Sequence, residues 1–453
     1  MEKIHFIAIG GSAMHNLAIA LHKKGYIVSG SDDEIFEPSK SRLEKYNLLP
    51  KQPGWNPEII STEIDAIILG MHAREDNPEL LKAKELGLRI YSYPEFLYEQ
   101  CKEKKRVVIG GSHGKTTITS MIMHVLLHAK NNFDYMVGAQ LKGFETMVKL
   151  TKEAPISVFE GDEYLSSPID KRPKFHLYYP NIALISGVAW DHINVFPSFD
   201  IYKEQFAIFI DKIQKDGTLI YCDEDPVLKE IAEKHPTSCK KIPYTTHKHT
   251  IENNTTYLVY NDQKIPIQVF GNHNLQNISG AFYVCKELGI NEQTFYEAIS
   301  SFSGASKRLQ LLAKNENTSV FLDFAHSPSK LKATTSAVKE QFKNRKLVAC
   351  MELHTFSSLN ADFLDEYKDS MNKADTAIVY FNPAVIKHKR LKEIKISDVQ
   401  SAFGRTDLKV YTNAEELLRF LKEQDFRNKN LLLMTSGNFS GIDYKKFSEN
   451  LVK

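Results

Sequence analysis

Short apolar, β-branched runs alternate along nearly the whole chain with stretches whose apolar residues recur every three or four positions. The first run, Ile4–Ile9, turns at Gly10-Gly11 and leads into a helical pattern reaching about Lys24. Tyr26–Val28 ends in Gly30-Ser31-Asp32, and Ala66–Leu69 ends near His72. A run at 106–109 precedes a glycine turn, after which Ile118, Met121, Ile122, Val125 and Leu126 share one helical face. Further strand candidates are Ile156–Phe159, Ile182–Val188, Ser319–Leu322, Leu347–Cys350, Ala377–Phe381, Lys409–Tyr411 and Leu431–Met434. This alternation predicts an α/β protein of parallel layers. The charged segment from Cys101 to Arg106 and the stretch Lys307–Leu311 read as crossings, dividing the chain into residues 1–103, 104–307 and 308–453.

Composition narrows the class. A chain of 453 residues exceeds one core and suggests about three domains. A net charge of +2 with 25% charged residues makes no case for a nucleic-acid or membrane partner. The five cysteines are scattered at 101, 222, 239, 285 and 350, which argues against a zinc ribbon or disulfide framework. Glu2 and Lys3 lead directly into a strand-like run, and no apolar stretch approaches the roughly 18 residues that span a bilayer. The expectation is a soluble, cytoplasmic protein in a reducing compartment, acting on small molecules.

The strongest chemical signal is Gly110-Gly-Ser-His-Gly-Lys-Thr-Thr117 between a strand-like run and a helix. Backbone N–H groups of Gly111, Ser112, His113 and Gly114 and the helix N-terminus form a cradle for polyphosphate. Lys115 adds a point charge, and the Thr116 hydroxyl can hold Mg²⁺, with Thr117 beside it. Position 109, where the usual pattern has a glycine, is isoleucine, so the loop is a shortened variant. ATP and Mg²⁺ are the implied cofactors.

Other polar residues fall just past the ends of strand candidates: Glu160, then Asp191 and His192, then Asp323 and His326, then Glu352 and His354. Ligands bind beyond the carboxyl ends of strands in open α/β sheets. Glu160 is a hard oxygen donor, and His192 is suited to ligate a metal or orient phosphate. A surface acidic cluster at Glu160–Glu163 and an ordinary core histidine fit the residues equally well. Asn274 and Asn277, three apart at a helix start, can present both amides to an adenine edge, or simply cap the helix. Arg308 is either a planar cation for γ-phosphate or a solvated linker arginine.

In combination these segments resemble the Mur ligases, ATP-dependent amide-forming enzymes of peptidoglycan synthesis. The resemblance rests on Gly111-Ser-His-Gly-Lys-Thr-Thr117, Glu160-Gly-Asp-Glu-Tyr164, Asp191-His192, Gly271-Asn-His-Asn-Leu-Gln-Asn277, Lys307-Arg308-Leu309 and Asp323-Phe-Ala-His326, in the family's order. It implies a Rossmann-like N-terminal domain for a UDP-sugar, a central P-loop ATPase domain and a Rossmann-like C-terminal domain for the acceptor. On that resemblance Lys115, His192 and Arg308 are catalytic, and Thr116, Glu160 and His192 hold the metal. Residues 111–117, Asn274, Asn277, Arg308 and Asp323 bind ATP. Gly10, Gly11, Ser12, Ala13, Met14, Ser31, Asp32, His72 and Ala73 meet the UDP-sugar. The segment Asp76-Asn-Pro-Glu79 also matches the muramate-binding members. Ala8, Ala13 and Asn16 stand where the family more often has glycine or another small residue.

Within the family, Asp170-Lys-Arg-Pro-Lys-Phe175 and Val195-Phe196-Pro197 resemble the murein-peptide recycling members. Those members join L-alanyl-γ-D-glutamyl-meso-diaminopimelate to UDP-N-acetylmuramate through an acyl phosphate. Lys171, Arg172, His326, Glu352 and His354 are the acceptor-site candidates. The alternatives are the L-alanine-adding ligase, a folate polyglutamylating ligase and a non-catalytic UDP-sugar and ATP binder. The block of about 100 residues before the phosphate loop argues against the folate enzyme, which begins near its ATP loop.

Overall fold

The computed structural model describes residues 2–190 and 195–453, so Asp191 and His192 lie outside the described residues. Two compact units emerge. The first comprises residues 2–190, Val195–Thr245 and Gly280–Phe295; the described part of the second is Thr246–Ser279 and Tyr296–Lys453.

The first unit holds two sheets. Strands β1 (Lys3–Ile7), β2 (Ile27–Ser31), β3 (Ala66–Leu69) and β4 (Ile90–Ser92) form a parallel sheet in the order β2-β1-β3-β4. Helices α1 (Ser12–Lys24), α2 (Ser39–Lys45), α3 (Pro78–Glu85) and α4 (Tyr93–Cys101) accompany it. α1 ends at Gly25, whose φ of 98° allows the left-handed C-cap that a side chain would resist.

The second sheet contains β5 (Lys105–Gly110), β6 (Phe133–Met136), β7 (Val148–Lys149), β8 (Ile156–Glu160), β9 (Ile182–Ile185), β10 (Thr218–Cys222) and β11 (Lys240–Tyr244). Its order is β11-β10-β9-β5-β8-β6-β7, parallel except for β7 against β6. Helix α5 (Lys115–His128) follows β5, and Ile118, Met121, Ile122, Val125 and Leu126 are all wholly buried, as their spacing predicts. Helices α6 (Phe199–Asp211) and α7 (Pro226–Lys234) complete the layer. The phosphate loop leaves β5 with β8 and β9 on either side. The register sets Ile109 beside Glu160 and Gly110 beside Ile185, so the carboxylate is delivered next to the loop by strand pairing.

The second unit departs from purely parallel expectation. β12 (His249–Glu252), β13 (Thr255–Tyr260) and β14 (Gln263–Ile267) form a small antiparallel sheet with tight turns at Asn253-Asn254 and Asn261-Asp262. All four turn residues have positive φ, the conformation asparagine and aspartate tolerate best. Helices α8 (Asn272–Glu287) and α9 (Glu292–Ser300) follow in sequence, with Gly280–Phe295 belonging to the first unit. The last sheet comprises β15 (Gln310–Lys314), β16 (Ser319–Asp323), β17 (Lys346–Leu353), β18 (Thr376–Phe381), β19 (Lys409–Tyr411) and β20 (Lys429–Met434), ordered β15-β16-β20-β17-β18-β19. Only β15 runs antiparallel. Along β17, Leu347, Ala349, Met351 and Leu353 feed one core and Val348 and Cys350 the other, the two-residue alternation of a strand buried on both faces.

Four strand ends near the site candidates differ from expectation. β17 continues to Leu353, so Glu352 lies inside the strand and not past its end, and it is 3% exposed. Glu160 and Asp323 are likewise last residues of β8 and β16. β9 stops at Ile185, where Ser186 and Gly187 bend beneath the phosphate loop. Each strand is lengthened or shortened by its neighbours' pairing, which a single run of residues does not reveal.

Candidate functional site

The phosphate loop is built by close approach. Gly111 has φ of 120°, and a Cβ there would sit 2.2 Å from Ser186 Oγ. Gly114, at φ 78°, turns the chain into α5. Ser112 N donates to Gly187 O at 3.0 Å, and the Ser186 hydroxyl donates to His113 O. His113 Nδ1 lies 2.7 Å from Ser112 O. Thr116 and Thr117 are buried on the first turn of α5.

Lys115 Nζ donates to Gly111 O at 2.8 Å and to Glu163 Oε2 at 2.6 Å. Burial by itself lowers the pKa of this ammonium, but the charges of Glu163, Asp162 and Glu160 outweigh it and hold the group above its usual value. Glu163 is 1% exposed, and its other oxygen accepts from Tyr202 OH at 3.2 Å. Tyr202 OH lies 2.8 Å from Ser112 Oγ, which accepts from Ala189 N at 2.9 Å. Glu163 and Tyr202 were missed as site residues. Glu163 stood in the acidic cluster and in the segment Glu160–Tyr164 without a role of its own, and Tyr202 carried no local signal.

Thr116 Oγ1 donates to Glu160 Oε1 at 2.8 Å, and Gly138 N donates to Glu160 Oε2 at 2.7 Å. The expected metal partners Thr116 and Glu160 thus meet; the third, His192, falls outside the described residues. Two hard oxygens beside a phosphate cradle suit Mg²⁺, which takes few protein ligands together with phosphates and water. No group of three or more His, Cys, Asp or Glu among the described residues is arranged to hold a metal without such help.

The sugar-nucleotide candidates gather at the carboxyl ends of β1, β2 and β3. Ala8 takes a φ of 70°, unusual for a residue with a Cβ. Ala8 N and Ile9 N both donate to Ser31 O, at 2.9 and 3.0 Å. Gly10 N donates to Asp32 Oδ2 at 2.7 Å, and a Cβ on Gly10 would lie 2.9 Å from that oxygen. Burial pushes the Asp32 carboxyl up to about 6; the Gly10 N–H opposes this and neighbouring Asp33 adds to it. Ser12, Ala13 and Met14 open α1 directly after Gly11. A Cβ on Gly11 would stand 3.6 Å from His72 Nδ1, and Ala73 is buried in one apolar cluster with Ile7 and Ala8.

A strap, residues 138–147, joins this turn to the phosphate site within the first unit. Gln140 Oε1 accepts from Arg42 at 2.9 Å, Met147 N donates to Asn16 Oδ1 at 2.9 Å, and Glu145 takes Lys23 at 2.7 Å and Lys45 at 3.1 Å. Its first residue, Gly138, holds Glu160.

Lys171 and Arg172 border a groove of about 400 Å³ that also includes His176, Gln205 and Lys212. Arg172 is engaged by Asp170 at 2.7 Å and Glu95 at 2.9 Å. Burial pushes His176 down to about 4. Lys174 pairs with Asp162 at 2.6 Å, and the Phe175 ring would stand 3.3 Å from a Cβ on Gly110.

The second unit holds the remaining candidates. Asn274 Nδ2 donates to Phe270 O at 2.9 Å and Asn277 Nδ2 to Asn274 Oδ1 at 3.4 Å, so the two amides do share one face of α8. Asp323 accepts from Thr334 Oγ1 at 2.7 Å. Its charge raises the pKa of His273, which burial nonetheless holds below its ordinary value; His273 was not singled out from the sequence. The Arg308 guanidinium stacks 4.6 Å from the centre of the Phe324 ring, with positive φ at Lys307 and Leu309 on either side. His326 Nδ1 lies 2.8 Å from Phe324 O. Glu352 accepts from the Thr435 hydroxyl and from Phe439 N at 2.9 Å, and His354 Nδ1 stands 3.8 Å from its other oxygen.

Comparison with known proteins agrees with this arrangement. Residues 3–105 match the model described as Mur ligase family, catalytic domain; 109–285 match the Mur ligase middle domain; 307–437 match the Mur ligase, glutamate ligase domain. The UDP-N-acetylmuramate–L-alanine ligase of Caldicellulosiruptor bescii is 30% identical over 433 residues, covering 92% of this chain and 89% of that protein. The fold is shared with the UDP-N-acetylmuramate–alanine ligase of Thermotoga maritima, with TM-score 0.71 and 21% identity over 100% of this chain and 98% of that one. It is also shared with a murein peptide ligase from Psychrobacter arcticus, with TM-score 0.66 and 21% identity over 100% and 99%.

Proposed function

The chain belongs to the Mur ligase family of ATP-dependent amide ligases, and on that premise we propose that it joins L-alanyl-γ-D-glutamyl-meso-diaminopimelate to the lactoyl carboxylate of UDP-N-acetylmuramate. The reaction serves peptidoglycan recycling. Residues 1–103 take the sugar nucleotide, 104–307 the ATP and 308–453 the acceptor. Among the described residues no helix is long and apolar enough to cross a membrane.

In this reading a carboxylate oxygen of the sugar acid attacks the γ-phosphorus of ATP and ADP leaves, giving an acyl phosphate. The acceptor amine then attacks the acyl carbon, loses a proton, and inorganic phosphate departs. The loop amides of residues 111–114 and Lys115 receive the phosphates, and Arg308 steadies the transferred group. Thr116 and Glu160, with His192, would hold Mg²⁺, which supplies charge neutralisation at the β- and γ-phosphates. Asn274, Asn277 and Asp323 are assigned to the nucleoside, and His326, Glu352 and His354 to the acceptor.

The observation carrying the tripeptide assignment is the seat of the segment 170–175, the one that resembles the recycling members. Lys174 pairs with Asp162, and Phe175 packs against Gly110, where β5 ends, and Gly161, just past β8. Arg172 and Lys174 are met by Asp170, Glu95 and Asp162, so Lys171, which lines the groove, is the cation this turn offers to a carboxylate of the acceptor, and the tripeptide reading leans on the segment's resemblance to the recycling members. The names of the curated relatives favour the second reading, an L-alanine ligase.

Phosphate release from ATP and UDP-N-acetylmuramate, with either tripeptide or L-alanine added, separates the two. Turnover with the tripeptide is expected to exceed that with L-alanine by about tenfold or more in kcat/KM. Turnover with L-alanine alone establishes the second reading, and absence of turnover with both leaves a binding protein.

A further inference from the structure

Glu79 lies in the first turn of α3, fully withdrawn from solvent, and none of the steps above uses it. A buried carboxylate is costly unless its lone pairs are filled. Here Oε1 accepts from Asn56 N at 2.7 Å, while Oε2 accepts from the Ser31 hydroxyl and faces His5 Nε2 at 3.4 Å. Its partners come from three separate segments: His5 on β1, Ser31 at the end of β2, and Asn56 just beyond the bridge that pairs Asp32 with Gly54.

Those segments frame the turn assigned to the sugar nucleotide. Ser31 O receives the N–H groups of Ala8 and Ile9, and Asp32 takes Gly10 N through its side chain and Gly54 N through its carbonyl at 2.8 Å. Ser31 and Asp32 therefore form the edge on which the turn is built. The Ser31 hydroxyl proton is directed to Glu79, so its oxygen can only accept from anything else that approaches.

We propose that Glu79 is a positioning residue for sugar-nucleotide binding, acting through Ser31 by holding the Ser31–Asp32 edge and fixing the direction of the Ser31 hydroxyl. The group it serves is the uridine portion, which offers hydroxyl and imide donors. This rests on the reading that the Gly10–Met14 turn holds a UDP-sugar.

The test is calorimetric titration of UDP-N-acetylmuramate, and separately of ATP, into the wild type, Glu79→Gln, Ser31→Ala and the double variant, with melting temperatures measured alongside. Glutamine keeps the shape and one acceptor, but its amide donates toward Ser31 and reverses that hydroxyl. Glu79→Gln is expected to weaken UDP-N-acetylmuramate about tenfold while ATP affinity stays within about twofold. The double variant is expected to be no weaker than the worse single one, because both changes break one contact. Sugar-nucleotide binding within about twofold of wild type in Glu79→Gln overturns the proposal, as do parallel losses for both ligands with a lowered melting temperature. If Glu79→Gln does not fold, Glu79→Asp, which keeps the charge but draws the carboxylate back from Ser31, decides in the same titrations by the same criteria. Failure of the wild type to bind UDP-N-acetylmuramate instead overturns the sugar-nucleotide reading itself.

Discussion

Gly138 and Glu160 are in contact without room for a side chain between them: the Gly138 amide donates to Oε2 at 2.7 Å, and a Cβ would lie 2.9 Å from Oε1. The Gly138 backbone is not in the left-handed region, so alanine is conformationally acceptable and the conflict falls on the carboxylate alone. Gly138→Ala is expected to lower kcat about 10- to 100-fold by displacing Glu160, with a stability change under about 1 kcal/mol. Steady-state kinetics with a thermal melt checks both parts. Full activity would remove Glu160 from the reaction centre.

Lys115 and Glu163 form a nearly buried ion pair, with side-chain exposures of 14% and 1%. Lys115→Ala is expected to abolish ligation while UDP-N-acetylmuramate still binds. It also strands the Glu163 charge, costing about 3 kcal/mol of stability. Adding Glu163→Gln should restore most of the melting temperature and none of the turnover. Wild-type turnover in Lys115→Ala would contradict the family mechanism for this loop.

Asp32 makes stability depend on pH. Its carboxyl titrates at about 6 in the folded protein because it is buried, against 3.8 ordinarily, so the folded state keeps a proton that the unfolded chain releases between those values. Stability from this group is therefore present at low pH and lost as pH rises from about 4 to 6. Asp32→Asn retains an acceptor for Gly10 N and should flatten that slope. Melting temperatures of the two proteins across pH 4–7 test it: parallel profiles would exclude the effect.

Glu352 holds a turn that the backbone alone would not favour. Phe439 and Ser440 have φ of 48° and 58°, and the Phe439 N–H is satisfied by the Glu352 carboxylate. Glu352→Ala leaves that amide unpaired and is expected to cost about 2–4 kcal/mol. The KM for the acceptor should rise while ATP affinity is unchanged. An unchanged acceptor KM would remove this turn from the acceptor site.

Much of the site was legible because it is local in sequence. Gly111 to Thr117 carries its own strand, turn and helix start, and Glu160 ends the strand paired beside it. Gly10, Gly11 and Asp32 announced a turn in the same way. Residues that act through burial were not legible. Glu163 depends on Tyr202 and Ser112 closing over it, and Glu79 on three segments converging. The antiparallel sheet of β12 to β14 was not expected: β12 and β14 are short and largely polar, and the apolar run Tyr257–Tyr260 of β13 was passed over.

From the order of residues alone came the α/β class, the phosphate loop and the family, since periodicity and short glycine motifs report the chain's near neighbours. Which carboxylates would be buried, what would neutralise them and how the 138–147 strap would tie Glu160 to α1 depended on the folded chain. Burial and pairing are set by groups distant in sequence, and only close packing brings those groups within hydrogen-bond reach.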